Sequence, residues 1–151
     1  MKCGRFPPEV PLAVRLVFLG HRVAHLIERR LARHDYTHTQ AAIIMVLGRR
    51  PGLTAQDLTG PVHVEPASIT RALQALERRG LVDRQPHPTD GRASLLQLTA
   101  AGREAEATIA RVVRETSAAL EDELAPEQVH AFHTALESVL ARVERLRGAE
   151  Q

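Results

Sequence analysis

The sequence predicts a mainly α-helical fold with a single small β-hairpin, and three observations carry that prediction. Apolar residues recur at three- and four-residue steps over long stretches at both ends of the chain. Two short strand-like runs, 81–84 and 94–98, enclose a turn rich in Pro, Asp and Gly. The interior must be aliphatic, because 44% of the 151 residues are hydrophobic yet there is no Trp, one Tyr and three Phe. Small aliphatic side chains of this kind let helices approach one another closely.

In the first arm Leu12, Leu16, Leu19, Val23, Ile27 and Leu31 line one face of a helix, and Val14, Phe18, His21 and His25 line a second, roughly opposite face. A helix with two partly apolar faces is expected between two neighbours. Lys2 and Arg5 ahead of an apolar run resemble the start of a secretory leader. Arg15 interrupts that run, and the helical period continues through Arg22, Arg29 and Arg30, so the segment reads as part of the mature protein and the chain as cytoplasmic. No stretch is long and apolar enough to span a bilayer. The single Cys3 excludes an intrachain disulfide and a Cys-based zinc cluster.

Between the arms the elements shorten. Residues 38–48 read as a helix with Thr37 as N-cap and Gly48 as a stop. Pro51-Gly52 is a turn, and Thr54 caps a brief helix over 55–60 that Pro61 ends. Pro66 opens a helix that runs through Arg79 and is closed by Gly80, and the hairpin follows. After it, Ile109, Val112, Val113, Thr116, Leu120 and Leu124 mark a long amphipathic helix capped by Thr99.

Val129, Phe132, Leu136, Val139, Val143 and Leu146 then follow strict 3-4-3-4-3 spacing, the seam of a coiled-coil-like packing about 30 Å long. Pro126 suits the first turn of this last helix, whereas Ala125 before it offers no capping side chain.

Helix, short helix, helix and hairpin in that order make a winged helix-turn-helix lobe over residues 37–99, flanked by a helical region formed by 1–36 and 100–151. Long helices at both ends of a small chain need cover, and a second copy of the chain is the simplest supplier. Val14, Phe18 and the 129–146 seam are the expected dimer interface. A monomeric helical bundle is the alternative.

Charge is unevenly placed. Residues 1–92 carry fourteen Lys/Arg against eight Asp/Glu, whereas residues 93–151 carry six against ten. A basic first part and an acidic last part suit a polyanion-binding surface joined to something else. The helix over 66–79 turns Ile69, Leu73 and Leu76 inward, leaving Ala67, Ser68, Thr70, Arg71 and Gln74 outward. Small, hydroxylic and basic groups near a helix N-terminus are what entry into a DNA major groove requires. A solvated polar face is the bland alternative.

The segment from Pro51 to Gly102 resembles the MarR family of transcriptional regulators. The resemblance rests on Leu53-Thr54, on Val64 with Thr70-Arg71, on Glu77 with Gly80-Leu81-Val82, on Pro88-Asp90-Arg92, and on Leu98-Thr99-Gly102, all in register without an insertion. It implies a homodimer on a pseudo-palindromic duplex, with helix 66–79 in the major groove. It also implies that Arg92 enters the minor groove while Asp90 holds the hairpin tip. Arg84 and His87 on the wing could then reach phosphates. Three departures from the family pattern are Gly60-Pro61, which shortens the preceding helix, Ala75 in place of a frequent Arg, and Ala125 in place of a capping Ser.

The resemblance further implies a repressor released by a small effector bound between the arms and the lobe. A small aromatic or anionic effector would find His25, Arg29, His34 and His38 available. His21 with His25, and His130 with His133, are spaced for a metal, and Cys3 offers a thiol for redox sensing, so metal- or redox-sensing variants are alternatives. A winged helix that binds protein instead of DNA is another. No segment supplies a nucleophile with its base, a metal centre or a phosphate-binding loop, so no enzyme and no cofactor is expected.

Overall fold

A computed structural model of the chain describes residues 6–7, 9–62, 64–89 and 93–149. Its elements in order are α1 (Leu12–Ala32), α2 (His38–Arg49), α3 (Thr59–Val62), α4 (Pro66–Arg78), β1 (Val82–Pro86), β2 (Ser94–Leu98), α5 (Ala100–Glu121) and α6 (Pro126–Ala149). The mainly helical class with one antiparallel hairpin is as predicted. Two compact units divide the chain within α5, residues 1–114 and residues 115–151.

The first unit is built around an aliphatic core in which Leu31, Ile43, Ile44, Leu47, Leu58, Ile69, Leu73, Leu76, Leu96 and Ile109 are almost wholly buried. Each such side chain stabilises the fold by roughly 1.5–3 kcal/mol relative to exposure. Thr37 starts α2 with a full capping box: the Gln40 N–H donates to Thr37 Oγ1 at 3.2 Å, and the Thr37 N–H donates to Gln40 Oε1 at 3.0 Å.

Helices α1 and α4 end alike. At the end of α1 the Tyr36 N–H donates to Leu31 O and the Asp35 N–H to Ala32 O, both at 3.2 Å. At the end of α4 the Leu81 N–H donates to Leu76 O at 3.0 Å and the Gly80 N–H to Glu77 O at 2.9 Å. This paired bonding needs a left-handed residue just past the helix. Gly80 supplies it at φ 66°, and Asp35 does so at φ 60° without being glycine.

The strands pair from Val82↔Leu98 to Pro86↔Ser94, so the first strand starts one residue later and runs two further than the sequence suggested. A bridge the sequence did not signal joins Leu53 to Leu96, with the Leu96 N–H donating to Leu53 O at 2.8 Å and the Gly52 N–H to Leu96 O at 2.9 Å. One residue of extended chain is too short to leave a period-2 pattern.

Three expectations are corrected. Gly48 does not stop α2, which includes it and runs on to Arg49. The short helix lies at Thr59–Val62 and not at 55–60; residues 55–58 are turns, and Pro61 sits inside the helix instead of ending it. Pro61 occupies the first turn, where N–H groups have no intrahelical acceptor, so its missing donor costs nothing there. The start of α6 is not without a side-chain cap either: Gln128 Oε1 accepts the Ala125 N–H at 2.9 Å, the half of a capping box that does not need a hydroxyl at the first position.

Thr99 caps α5 as predicted. Its Oγ1 accepts the Gly102 N–H at 3.0 Å and donates to Gly80 O at 2.7 Å. A Cβ on Gly102 would run into the Leu81 carbonyl oxygen, so only glycine lets α5 start this close to the hairpin. In the second unit α6 buries none of its residues. No helix among the described residues is long and apolar enough to cross a membrane.

Candidate nucleic-acid interface

The two sides of α4 differ completely. Ile69, Ala72, Leu73 and Leu76 are buried, whereas Ala67, Thr70, Arg71 and Gln74 are exposed and Ser68 is half-buried. Pro66 at the first helical position fixes the entry of the chain into the helix. Arg71 Nη2 donates to Ser68 Oγ at 3.2 Å, which holds the guanidinium along the exposed face. Thr70 Oγ1 donates to Pro66 O at 3.1 Å, leaving its oxygen lone pairs to accept from outside. Arg78, seven residues after Arg71 and also exposed, continues the same face.

Ahead of α4, Thr54 and Asp57 close a tight turn on each other. Asp57 Oδ2 accepts from Thr54 N at 2.8 Å and from Thr54 Oγ1 at 2.7 Å. The Thr54 hydroxyl, then the Thr54 backbone N–H, hold the Asp57 carboxyl below its ordinary range against a small opposing effect of burial, with a lesser contribution from His87.

On the wing, Arg84 Nε donates to Glu77 Oε1 at 2.7 Å, so the first strand is tied to the last turn of α4. The sequence pointed Arg84 at a phosphate; the structure places its Nε on Glu77. His87 is half-buried, and its Nδ1 accepts the Thr89 N–H at 3.3 Å. Asp90 and Arg92, the predicted hairpin-tip pair, lie outside the described residues, as does Cys3.

The residues expected to hold an effector are spread over three places. His25 and Arg29 lie exposed on α1, with His25 Nδ1 3.9 Å from Glu28 Oε2. His34 is half-buried in the turn after α1, and His38 is exposed at the first position of α2. A shallow depression that the sequence did not anticipate is lined by Val46, Arg49, Arg50 and Pro61. Among the described residues no three His, Cys, Asp or Glu side chains gather as a metal site.

Of the expected dimer residues, Val14, Phe18, Phe132, Leu136, Val143 and Leu146 are exposed, and Val129 and Val139 are half-buried. Leu120, Leu124 and Leu140 add to the exposed apolar surface of the second unit. Phe18 meets Phe6 edge-on at 5.2 Å, with the Arg22 guanidinium 4.9 Å above the Phe18 ring. Arg15, which in the sequence only breaks an apolar run, donates to Val10 O and Pro7 O, both at 2.9 Å, and so folds the preceding chain onto α1.

A short helix, a second helix with a polar outer face and a buried inner one, and a two-stranded wing tied to its end together define a winged helix-turn-helix regulator. The chain belongs to the MarR family: the model of that family matches residues 36–94. It is 30% identical over 113 residues to the HTH-type transcriptional regulator PetP of Rhodobacter capsulatus, covering 75% of this chain and 68% of that protein. It is also 30% identical over 96 residues to the HTH-type regulator ML2140 of Mycobacterium leprae, covering 64% and 67% of the two chains.

Solved structures show the same fold. The reduced form of MarR from E. coli superposes with a TM-score of 0.81 at 24% identity, over 89% of this chain and 99% of that one. A MarR variant from E. coli complexed with operator DNA does so with a TM-score of 0.74 at 24% identity, over 87% and 94%. The protein is a DNA-binding transcriptional regulator of the MarR family.

Proposed function

We propose that the chain acts in the cytoplasm as a homodimer that binds a pseudo-palindromic operator, as a repressor relieved by a small aromatic or anionic effector. Helix α4 enters the major groove, presenting Ala67, Ser68, Thr70, Arg71 and Gln74 to base edges and phosphates. In this reading Arg92 takes the adjacent minor groove, with Asp90 holding the hairpin tip, while Arg84 and His87 lie toward the backbone. The observation that carries the reading is the complete division of α4: its apolar side is consumed by the core, and its other side offers hydroxyl, amide and guanidinium groups to a partner.

Support for the homodimer comes from α6, which buries nothing within this chain although its apolar side chains keep a strict seam spacing. A second copy of the chain is the simplest supplier of a matching apolar seam, since symmetric homodimers are the commonest oligomers. An effector would act by binding better to one separation of the two α4 helices than to another. His25, Arg29, His34 and His38 supply cationic and hydrogen-bonding groups for an aromatic acid. No catalytic step enters this reading.

The test is an anisotropy titration of the purified protein against duplex DNA from upstream of its own gene, with salt varied. The expected result is saturable binding at two subunits per duplex, with an affinity that falls steeply as salt rises. Binding that is indifferent to salt, or no tighter than to random duplex, contradicts it.

A further inference from the structure

The C-terminal end of α4 is fastened to the junction between α1 and α2 by one side chain. Arg79 Nη1 donates to Asp35 O at 2.7 Å, and its guanidinium carbon stands 4.6 Å from the centre of the Tyr36 ring. The two contacts are chemically independent, one a charge-assisted hydrogen bond and the other a cation–π contact. Both partners belong to the bonded turn that closes α1, in which Asp35 holds its left-handed φ of 60°. The Asp35 carbonyl is thus aimed by a turn that few non-glycine residues adopt. The positive charge also lies at the carbonyl end of α1, where the helix dipole favours it. Tyr36 in turn packs on the aliphatic core.

Arg79 is badly placed to touch DNA itself. Although exposed, it stands just past the last residue of α4, about 16 Å along the axis from Ser68, and its guanidinium is turned onto Asp35 O and the Tyr36 ring. We propose that Arg79 is a positioning residue: clasping the α1–α2 junction, it sets the pose of the recognition helix and so the fit of α4 to its operator, without contacting the duplex. The proposal rests on the DNA-binding reading of α4. Helix α4 is about 20 Å long, so a tilt of a few degrees about its clasped end moves its first turn by 1–2 Å. Hydrogen bonds to base edges do not survive such a shift, since their lengths fall within a few tenths of an ångström. Contacts made by mobile cations to phosphates do survive it.

The experiment uses the duplex that the wild-type protein enriches from a random-sequence pool, and a scrambled duplex of the same composition. Affinities for both, over a range of salt, are compared for wild type, Arg79→Ala, Arg79→Lys and Tyr36→Leu, each checked for folding by its thermal melt. The clasp predicts that Arg79→Ala weakens binding to the selected duplex about tenfold, leaves the scrambled duplex within about twofold, and leaves the salt slope unchanged. Arg79→Lys, which keeps the charge but not the planar face, recovers only part of the loss. Should Arg79→Ala fail to fold, Tyr36→Leu keeps the cation and the apolar burial, and still lowers affinity for the selected duplex severalfold.

A phosphate contact would look different. Arg79→Ala would then weaken both duplexes equally and reduce the salt slope by about 0.9, with Lys restoring it, and that pattern overturns the proposal. So does unchanged affinity of folded Arg79→Ala or Tyr36→Leu for the selected duplex. If the wild-type protein enriches no sequence, the DNA-binding reading itself falls, and the clasp with it.

Discussion

Helices α4 and α6 are both amphipathic, and the chain treats them in opposite ways. The apolar side of α4 is buried to within a few per cent, with Ile69, Leu73 and Leu76 among the least exposed residues of the protein. Most of the apolar side of α6 is exposed, Phe132 at 47% and Leu146 at 50%. A helix whose apolar stripe is already satisfied has only its polar face left to offer, which suits recognition of a polar, charged duplex. A helix whose stripe is unsatisfied must find apolar cover, which suits association with a like surface. One sequence period therefore leads to two different surfaces, depending on whether the chain itself supplies the partner.

The contrast can be broken most severely at the seam. Leu136→Glu places a charge where an apolar partner is expected, and the dimer dissociation constant should rise by about 100-fold or more. Sedimentation equilibrium reads this directly, and an intact dimer would remove α6 from the interface. Within the first unit, Gly102→Ala forces a Cβ against the Leu81 carbonyl oxygen. Overpacking of this kind costs about 2 kcal/mol and should lower the melting temperature by several degrees. An unchanged melt would mean that α5 can retreat from the hairpin.

On the polar face of α4, Arg71→Ala should weaken operator binding by roughly 1–3 kcal/mol at unchanged thermal stability, because its side chain is exposed and bonded to Ser68 on the same helix face. Equal binding by the variant would place recognition elsewhere. Thr37→Ala removes half of the α2 capping box and should cost about 1 kcal/mol of stability in denaturant titration.

The smallest effect concerns Asp57, whose carboxyl is held below its ordinary range chiefly by Thr54. A lowered folded-state pKa gives stability that is present above the unfolded pKa of about 3.9 and is lost as pH falls through the folded value. Asp57→Asn should therefore lose stability near neutral pH, with the difference from wild type shrinking as pH drops below about 4. A pH-independent difference would show that the Thr54 bonds do not discriminate between ionised and neutral carboxyl.

What the sequence made legible was whatever repeats or obeys local rules. The stripes of α1 and α6, the Thr37 and Thr99 caps, the Gly80 stop and the inward face of α4 all follow from period and from capping chemistry. The hairpin followed from turn residues and short β-branched and leucine runs, with the first strand's start off by one residue and its end by two. The Leu53–Leu96 bridge, the Arg84–Glu77 tie and the Arg79 clasp were not legible. Each joins residues whose proximity is set by tertiary packing, 44 positions apart for Arg79 and Asp35, and no local pattern encodes that. Pro61 was misread for a simpler reason: proline ends a helix only beyond its first turn, and which turn it occupies depends on where Thr54 and Asp57 let the helix begin. Asp90 and Arg92 rest on the family resemblance alone, since the hairpin tip lies outside the described residues.

In the proposed function α4 reads DNA as one of a symmetric pair. Selection from a random duplex pool by the wild-type protein tests it most directly. The expected result is enrichment of a pseudo-palindrome whose half-sites lie about one helical turn apart, about 10 base pairs centre to centre. Enrichment of a lone, unpaired half-site, or of no sequence, would contradict it.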